Sequence, residues 1–312
     1  MSTPWSQRAA NLWHHWRRGT LQRRLRSQLR RRRRRQLLAA SQRRADSFRQ
    51  LRHQGVPSVP YRLPEGPELT LPTDSHLAAE IYGGAFELGE QDFLSRYLMP
   101  GDVFLDVGAN LGLFTLRAAG RVTDSGRVFA FEPSAKTFQR LHQDVERNGL
   151  HWVQAIQAAL SDAPGQATLH ASSSGWDAWN SLGAPAEGDG YAQEEVELIT
   201  LDAFLEEHPA AARAALIKLD VEGWESRVLT GGGSLFASAE APTLLVEFND
   251  EAAAGAGTSG QALYRQLAEL GYDLLLWDSD LRQLLPAAPK EHYVYENLVA
   301  TKNLLRDQER LS

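Results

Sequence analysis

The stretch Asp106-Val107-Gly108-Ala109-Asn110-Leu111-Gly112 has the residue types that seat a small ligand against a backbone turn. An apolar run, Phe104 to Val107, leads into it, and a helix-length stretch opens near Leu111. Gly108 permits a tight turn and close backbone approach. Amide N–H groups at the start of a helix attract an anionic group, here a carboxylate. Twenty residues past Gly112, Glu132 closes a second apolar run, Phe129-Ala130-Phe131. An acid at that place accepts hydrogen bonds from both ribose hydroxyls of an adenosine-type ligand. Asn110 stands where a dinucleotide fingerprint needs its second glycine, and no G-x-x-x-x-G-K-[ST] occurs, so both pyrophosphate-binding devices are missing. A ligand with a carboxylate and no phosphate fits better.

A second group of reactive residues lies farther on. Lys218 and Asp220 end a later apolar run, Glu222 follows two residues on, and Glu247 ends another. A carboxylate placed there can take the proton of a hydroxyl acceptor. Asp220 is the first choice, with Glu222 and Glu247 in reserve. Strand alternation puts Lys218 on the face of Asp220, where it pairs with that acid or steadies an acceptor oxygen. Asp220, Glu222, Glu247 and Asp250 could together hold a hard divalent cation that orients a diol. Clustered carboxylates at strand ends more often cap helices or bind an amine, so no metal ligand is assigned. The polar, glycine-rich stretch Ser172 to Gln193 embeds Trp176, Trp179 and Tyr191. Flat aromatics suit sugar faces, and the stretch reads as an acceptor lid. Its bland alternative is two tryptophans anchoring a surface loop. No histidine pair has metal or triad spacing.

These residues need a scaffold, and the pattern of runs supplies one. Val103 to Val107, Arg127 to Phe131, Val153 to Ala158, Ala215 to Leu219 and Thr243 to Phe248 read as buried strands. Leu111 to Ala119, Ser134 to Asn148 and Gln261 to Leu270 read as helices between or after them. Strand and helix in alternation make an α/β, doubly wound parallel sheet, whose ligands bind beyond the carboxyl ends of the strands.

Composition divides the chain of 312 residues in three. Residues 1–55 form an Arg-rich basic tail that includes the run Arg30 to Arg35. Its first fifty residues hold fifteen Arg against one acid, Asp46. Such a tail is disordered in isolation or an amphipathic helix on an anionic membrane surface, with Trp5, Trp13 and Trp16 at the interface. Residues 56–75 form a connector punctuated by Pro57, Pro60, Pro64, Pro67 and Pro72, which excludes a regular helix there. Residues 76–312 form the catalytic domain. Residues 51–312 carry 18 basic and 38 acidic side chains, a poor surface for nucleic acid. No apolar run has the length of a membrane span, and arginine interrupts any signal peptide. Zero cysteines exclude disulfides and thiolate chemistry and permit a reducing compartment, so a cytoplasmic location, peripheral at the membrane through the tail, is expected.

Several segments in order resemble the FkbM-type methyltransferases. They are Asp106 to Asn110, Phe131-Glu132-Pro133, Ala158-Ala159-Leu160-Ser161-Asp162, Val196 to Asp202, Leu216 to Glu225 and Leu244 to Glu247, with a weaker echo in Glu296-Asn297-Leu298. The resemblance implies a class I methyltransferase sheet of the Rossmann-like kind with an antiparallel C-terminal strand. It implies S-adenosylmethionine as methyl donor and O-methylation of a sugar, glycan or secondary metabolite. Carried over by position, Asp106, Gly108, Asn110 and Gly112 hold the methionine end, Glu132 the ribose, and Ser161 and Asp162 lie near the adenine. Trp224 stands where many relatives carry His or Ala. A nucleic-acid methyltransferase using the Arg tail, and a membrane-associated binding protein on a degenerate scaffold, are the competing readings.

Overall fold

A computed structural model describes residues 37–172, 181–182 and 191–312. Residues 1–36, most of the Arg-rich tail, lie outside the described residues, as do Trp176 and Trp179.

Residues 37–53 form helix α1. A two-stranded antiparallel ribbon of β1 (Ser58–Arg62) and β2 (Glu68–Pro72) follows, then α2 (His76–Gly83) and α3 (Leu88–Tyr97). The proline-punctuated segment is built into the core. Leu69 and Leu71 are fully buried. Thr70 donates from its amide and hydroxyl to the two Asp144 oxygens at 2.7 and 2.6 Å.

The central units are β3 (Val103–Val107), α4 (Leu113–Val122), β4 (Arg127–Phe131), α5 (Ala135–Arg147) and β5 (Val153–Ile156). A small second sheet comes next, with β6 (Ala159–Leu160), β7 (Gly165–Ser172) and β8 (Tyr191–Ile199) in the order β6-β8-β7. The chain then returns through α6 (Leu201–Glu207), β9 (Leu216–Leu219), α7 (Glu225–Gly231), α8 (Gly233–Ala237) and β10 (Thr243–Phe248). It ends with α9 (Asp250–Gly255), α10 (Gly260–Glu269), β11 (Asp273–Asp278), β12 (Gln283–Pro286), β13 (Glu296–Thr301) and α11 (Leu304–Leu311). Among the described residues no helix is long and apolar enough to cross a membrane.

The main sheet runs β12-β11-β13-β10-β9-β3-β4-β5. β10, β9, β3, β4 and β5 are parallel, and β13 is antiparallel to both β10 and β11. This is the expected doubly wound sheet with its antiparallel C-terminal strand. Successive residues alternate between two apolar layers. Phe104, Val128, Ala130, Leu216 and Leu245 join one, while Leu105, Phe129, Phe131, Ile217 and Val246 join the other. Burial on both faces explains why these strands read as continuous apolar runs.

Two sequence boundaries shift for local reasons. The run Val153 to Ala158 splits, because β5 ends at Ile156 and Ala159–Leu160 pairs with Leu198 and Ile199 in the small sheet. Helix α4 starts at Leu113 rather than Leu111, because Gly112 before it holds φ 88°.

Chain order reverses about β3: β4 and β5 lie on one side of it, β9 and β10 on the other. A crevice therefore opens above β3 and β9. The C-terminus locks β10 from beneath. The buried Tyr97 hydroxyl donates to Asp307 Oδ1 at 2.9 Å, and Thr243 Oγ1 donates to Asp307 Oδ2 at 2.8 Å. Arg306 reaches both Thr243 and Asp307. Asp307→Ala removes the carboxylate that Tyr97, Thr243 and Arg306 share and leaves them only one another. We expect a loss of about 3 kcal/mol in unfolding free energy. A urea midpoint unchanged within error would remove the lock from the stability of the sheet.

Candidate active site

The turn after β3 is tied to the end of β4. Gly108 and Ala109 donate their amides to Phe131 O at 3.1 and 2.9 Å. Asn110 donates its amide to Glu132 Oε2 at 2.9 Å, and Ser134 donates to Glu132 Oε1 at 2.9 Å. The turn and the acid thus share one side of the sheet and one cleft. Burial pushes the Glu132 carboxyl up to about 7, although the two amides pull it down. Gly108 has φ 86°, and a Cβ on it would meet Asp220 O at 1.9 Å, so only glycine lets the turn lie against the end of β9.

One expectation is corrected. The amides of residues 108–112 do not form an open cradle for an anion. Leu111 N–H donates to Asn110 Oδ1 and Gly112 N–H to Ala109 O, so with the bonds above all five amides have partners within the turn or the neighbouring strand. They stiffen the turn instead.

Asp106 and Gly112 lie behind the cleft surface. Asp106, 1% exposed, accepts from Thr115 Oγ1 at 2.6 Å. Burial raises its carboxyl, while Lys218 opposes the rise. Gly112 packs against Leu141, and a Cβ there would meet Leu141 Cδ1 at 2.5 Å.

Across the crevice the ends of β9 and β10 bring together Lys218, Asp220, Glu222 and Glu247, all of which line the cleft. Lys218 is 3% exposed, hydrogen-bonded to Asp220 Oδ2, with its Nζ 4.6 Å from the centre of the Phe114 ring. Burial would pull its ammonium down, but Asp220, Glu87 and Asp106 outweigh that and hold it charged. Glu222 occupies the left-handed region at φ 51°, and its carbonyl accepts from Ser181 Oγ at 2.9 Å. Burial and neighbouring carboxylates raise Glu222 and Glu247 well above the ordinary carboxylate range. Asp250 does not join this group. It accepts from the Gly260 and Tyr293 amides and pairs with His292.

Ser161 and Asp162 act at one remove, because the cleft wall is made by Ala158, Ala159, Leu160 and Trp224. Trp224 Nε1 donates to Ser161 Oγ at 3.0 Å, Ser161 donates to Asp162, and Asp162 pairs with Arg227 at 3.1 Å. The indole is thus a cleft wall held in place by Ser161.

The sequence reading missed Glu80 and Ile81 of α2, Glu87 before α3, and Tyr295 before β13, which close the cleft from outside the motifs. Glu87 and Tyr295 hydrogen-bond each other. No spacing rule links residues 208 positions apart. The cleft has a volume of about 240 Å³. Six carboxylates line it (Glu80, Glu87, Glu132, Asp220, Glu222 and Glu247), against one ammonium, Lys218, among the described residues. Burial raises Glu87, Glu132, Glu222 and Glu247 among them, and an entering cation would favour their ionised forms where a phosphate would not.

Known proteins to which this chain is similar include methyltransferases. Over 152 residues the chain is 33% identical to a protein named Methyltransferase 1 from Beauveria bassiana (strain ARSEF 2860), covering 42% of this chain and 59% of that protein. The chain therefore matches less than two thirds of that relative's length. Methyltransferase FkbM from Methylobacillus flagellatus KT superposes with a TM-score of 0.40 at 13% identity, covering 72% of this chain and 54% of that one. A SAM-dependent O-methyltransferase from Thermotoga maritima does so with a TM-score of 0.38 at 15% identity, covering 78% of each. Residues 106–274, more than half of the chain, match the methyltransferase FkbM domain from the β3 turn to β11, and the chain belongs to the FkbM methyltransferase family.

Proposed function

We propose that this chain transfers a methyl group from S-adenosylmethionine to a hydroxyl oxygen of a sugar, glycan or hydroxylated metabolite. The observation that carries the reading is the charge of the cleft: six carboxylates and one ammonium around a pocket that joins Asn110 and Glu132 to Asp220. A sulfonium and an ammonium find compensation there, whereas a phosphate chain or nucleic-acid strand would meet repulsion.

S-adenosylmethionine, when bound, supplies a methyl carbon made electrophilic by its sulfonium. The residues present fit it. Glu132 has each oxygen engaged by one backbone amide, which leaves lone pairs for two ribose hydroxyls. Ala158, Ala159, Leu160 and Trp224 offer an apolar wall for the adenine. Asp106 and Gly112 shape the turn from behind, and Ser161 and Asp162 hold the indole.

Asp220 takes the proton of the acceptor hydroxyl as that oxygen gains the methyl group. It borders the cleft and is kept in place by Lys218. Glu222 and Glu247, whose carboxyls burial and neighbouring carboxylates raise, stand in reserve for that role. Alignment of acceptor and donor contributes about 7–11 kcal/mol, and the base about 10²–10⁴-fold.

Glu132→Ala removes a charged acceptor of two hydroxyls, and we expect donor affinity to fall about 10–100-fold by calorimetry. Unchanged binding would remove the ribose assignment. Because burial holds Glu132 at about 7, its carboxylate is mostly ionised at pH 8 and mostly protonated at pH 6. Wild-type affinity should therefore weaken about tenfold from pH 8 to pH 6. A flat profile would contradict an ionised acceptor. Asp220→Asn should slow turnover about 10²–10⁴-fold while leaving donor affinity within about twofold. A labelled-methyl screen over sugars, lipids and nucleic acids supplies the acceptor, and turnover of the variant equal to wild type would clear Asp220 of the base role.

A further inference from the structure

We propose that Asp220, Glu222 and Glu247 bind a hard divalent cation, and that this cation receives two adjacent oxygens of the acceptor, as in a vicinal diol or a hydroxy acid. Each of the three side chains offers one carboxylate oxygen, and these oxygens all lie within 4.8 Å of one another. Oxygens bound to one such ion at its usual distances stand about 3 to 4.8 Å apart, so the trio needs only small side-chain adjustment. The three come from separate backbone positions: the end of β9, the left-handed turn after it, and β10.

A second observation points to a ligand. Glu247 is 3% exposed and lines the cleft, yet among the described residues no donor reaches its Oε2. A buried carboxylate oxygen without a partner is unfavourable and calls for one. Lys218 bonds the Asp220 member of the trio and lies over the Phe114 ring, and does not reach Glu247 Oε2.

The ordinary employment of acids at strand ends is taken by other residues. Glu225 Oε1 accepts from the Val221 and Gly223 amides, and Asn249 Oδ1 caps α9 through the Glu251 and Ala252 amides. The donor's seat at Asn110 and Glu132 belongs to β3 and β4, so the trio on β9 and β10 falls to the acceptor. All three ligands are oxygen, with neither imidazole nor thiolate among them. That selects ions of the Mg²⁺, Mn²⁺ and Ca²⁺ class over Zn²⁺. An acceptor held through two oxygens would be fixed in distance and in rotation, which a single hydroxyl contact does not achieve.

The acceptor half of this proposal rests on the methyl-transfer reading, whereas the cation half stands without it. The full chain, stripped with chelator, is titrated with Mn²⁺ while free ion is read by electron paramagnetic resonance. One Mn²⁺ per chain is expected, bound at least about tenfold more weakly by Glu247→Gln and by Glu222→Gln, each checked for folding by circular dichroism. The wild type gives a reading that needs no variant: Tb³⁺ in this site takes excitation from Trp224 in the same cleft, and excess Mg²⁺ displaces it. Absence of Mn²⁺ binding up to about 1 mM, the weak end for protein sites of this class, overturns the proposal. So does equal affinity in both folded variants, or Tb³⁺ emission that Mg²⁺ leaves unchanged. Mn²⁺ binding without donor binding would reject the methyl-transfer reading and keep the cation. Full methyl transfer in chelator with no Mn²⁺ bound would do the reverse.

Discussion

One buried ammonium organises this cleft. Lys218 has almost no contact with solvent, and Asp220, Glu87 and Asp106 are the charges that keep it protonated. Those three acids stand on the end of β9, the segment before α3, and β3. A single charge therefore pins together three parts of the chain that share no local sequence. Without it, carboxylates already crowded by Glu222 and Glu247 would have to be protonated or drawn apart. The arrangement is expensive in desolvation. Acids in the cleft lining outnumber what one lysine neutralises.

Much of the central sheet was legible because its strands are buried on both faces. Val103–Val107, Arg127–Phe131 and Thr243–Phe248 stand out as apolar runs bounded by turn residues, and the structure keeps those boundaries. The Asp106 turn and Glu132 were legible for the same reason, since each lies where such a run stops. The use of the turn's amides was not. Leu111 satisfies its N–H through the Asn110 side chain, and Asn110 its own through Glu132, a closure that exists only once β3 and β4 pair. Glu87 and Tyr295 were equally out of reach, because no periodicity joins the segment before α3 to that before β13. The proline-punctuated segment was half legible: proline excludes helix there, but only tertiary contact shows that Leu69 and Leu71 belong to the core.

The small sheet between β5 and α6 is more than an appendage. Ser181 pairs with the His170 backbone and donates its hydroxyl to the Glu222 carbonyl at 2.9 Å. Leu182 beside it lines the cleft. Glu222 holds a left-handed backbone that a side chain adopts at some energetic cost, and the neighbouring sheet helps hold it there. The Glu222 side of the cleft is thereby coupled to the small sheet rather than to the parallel sheet alone.

The placement of β13 governs when the molecule can assemble. β10 has β9 on one flank, but its other flank is filled by residues 296–301, almost fifty positions later in the chain. At about 5–20 residues per second on a ribosome, that neighbour arrives about 3–10 s after β10 has been made. During that interval an apolar strand waits with unpaired backbone groups, at the edge most open to mispairing with another nascent copy. Chaperone occupancy and translation pace between residues 248 and 301 thus bear on how much finished protein a cell obtains.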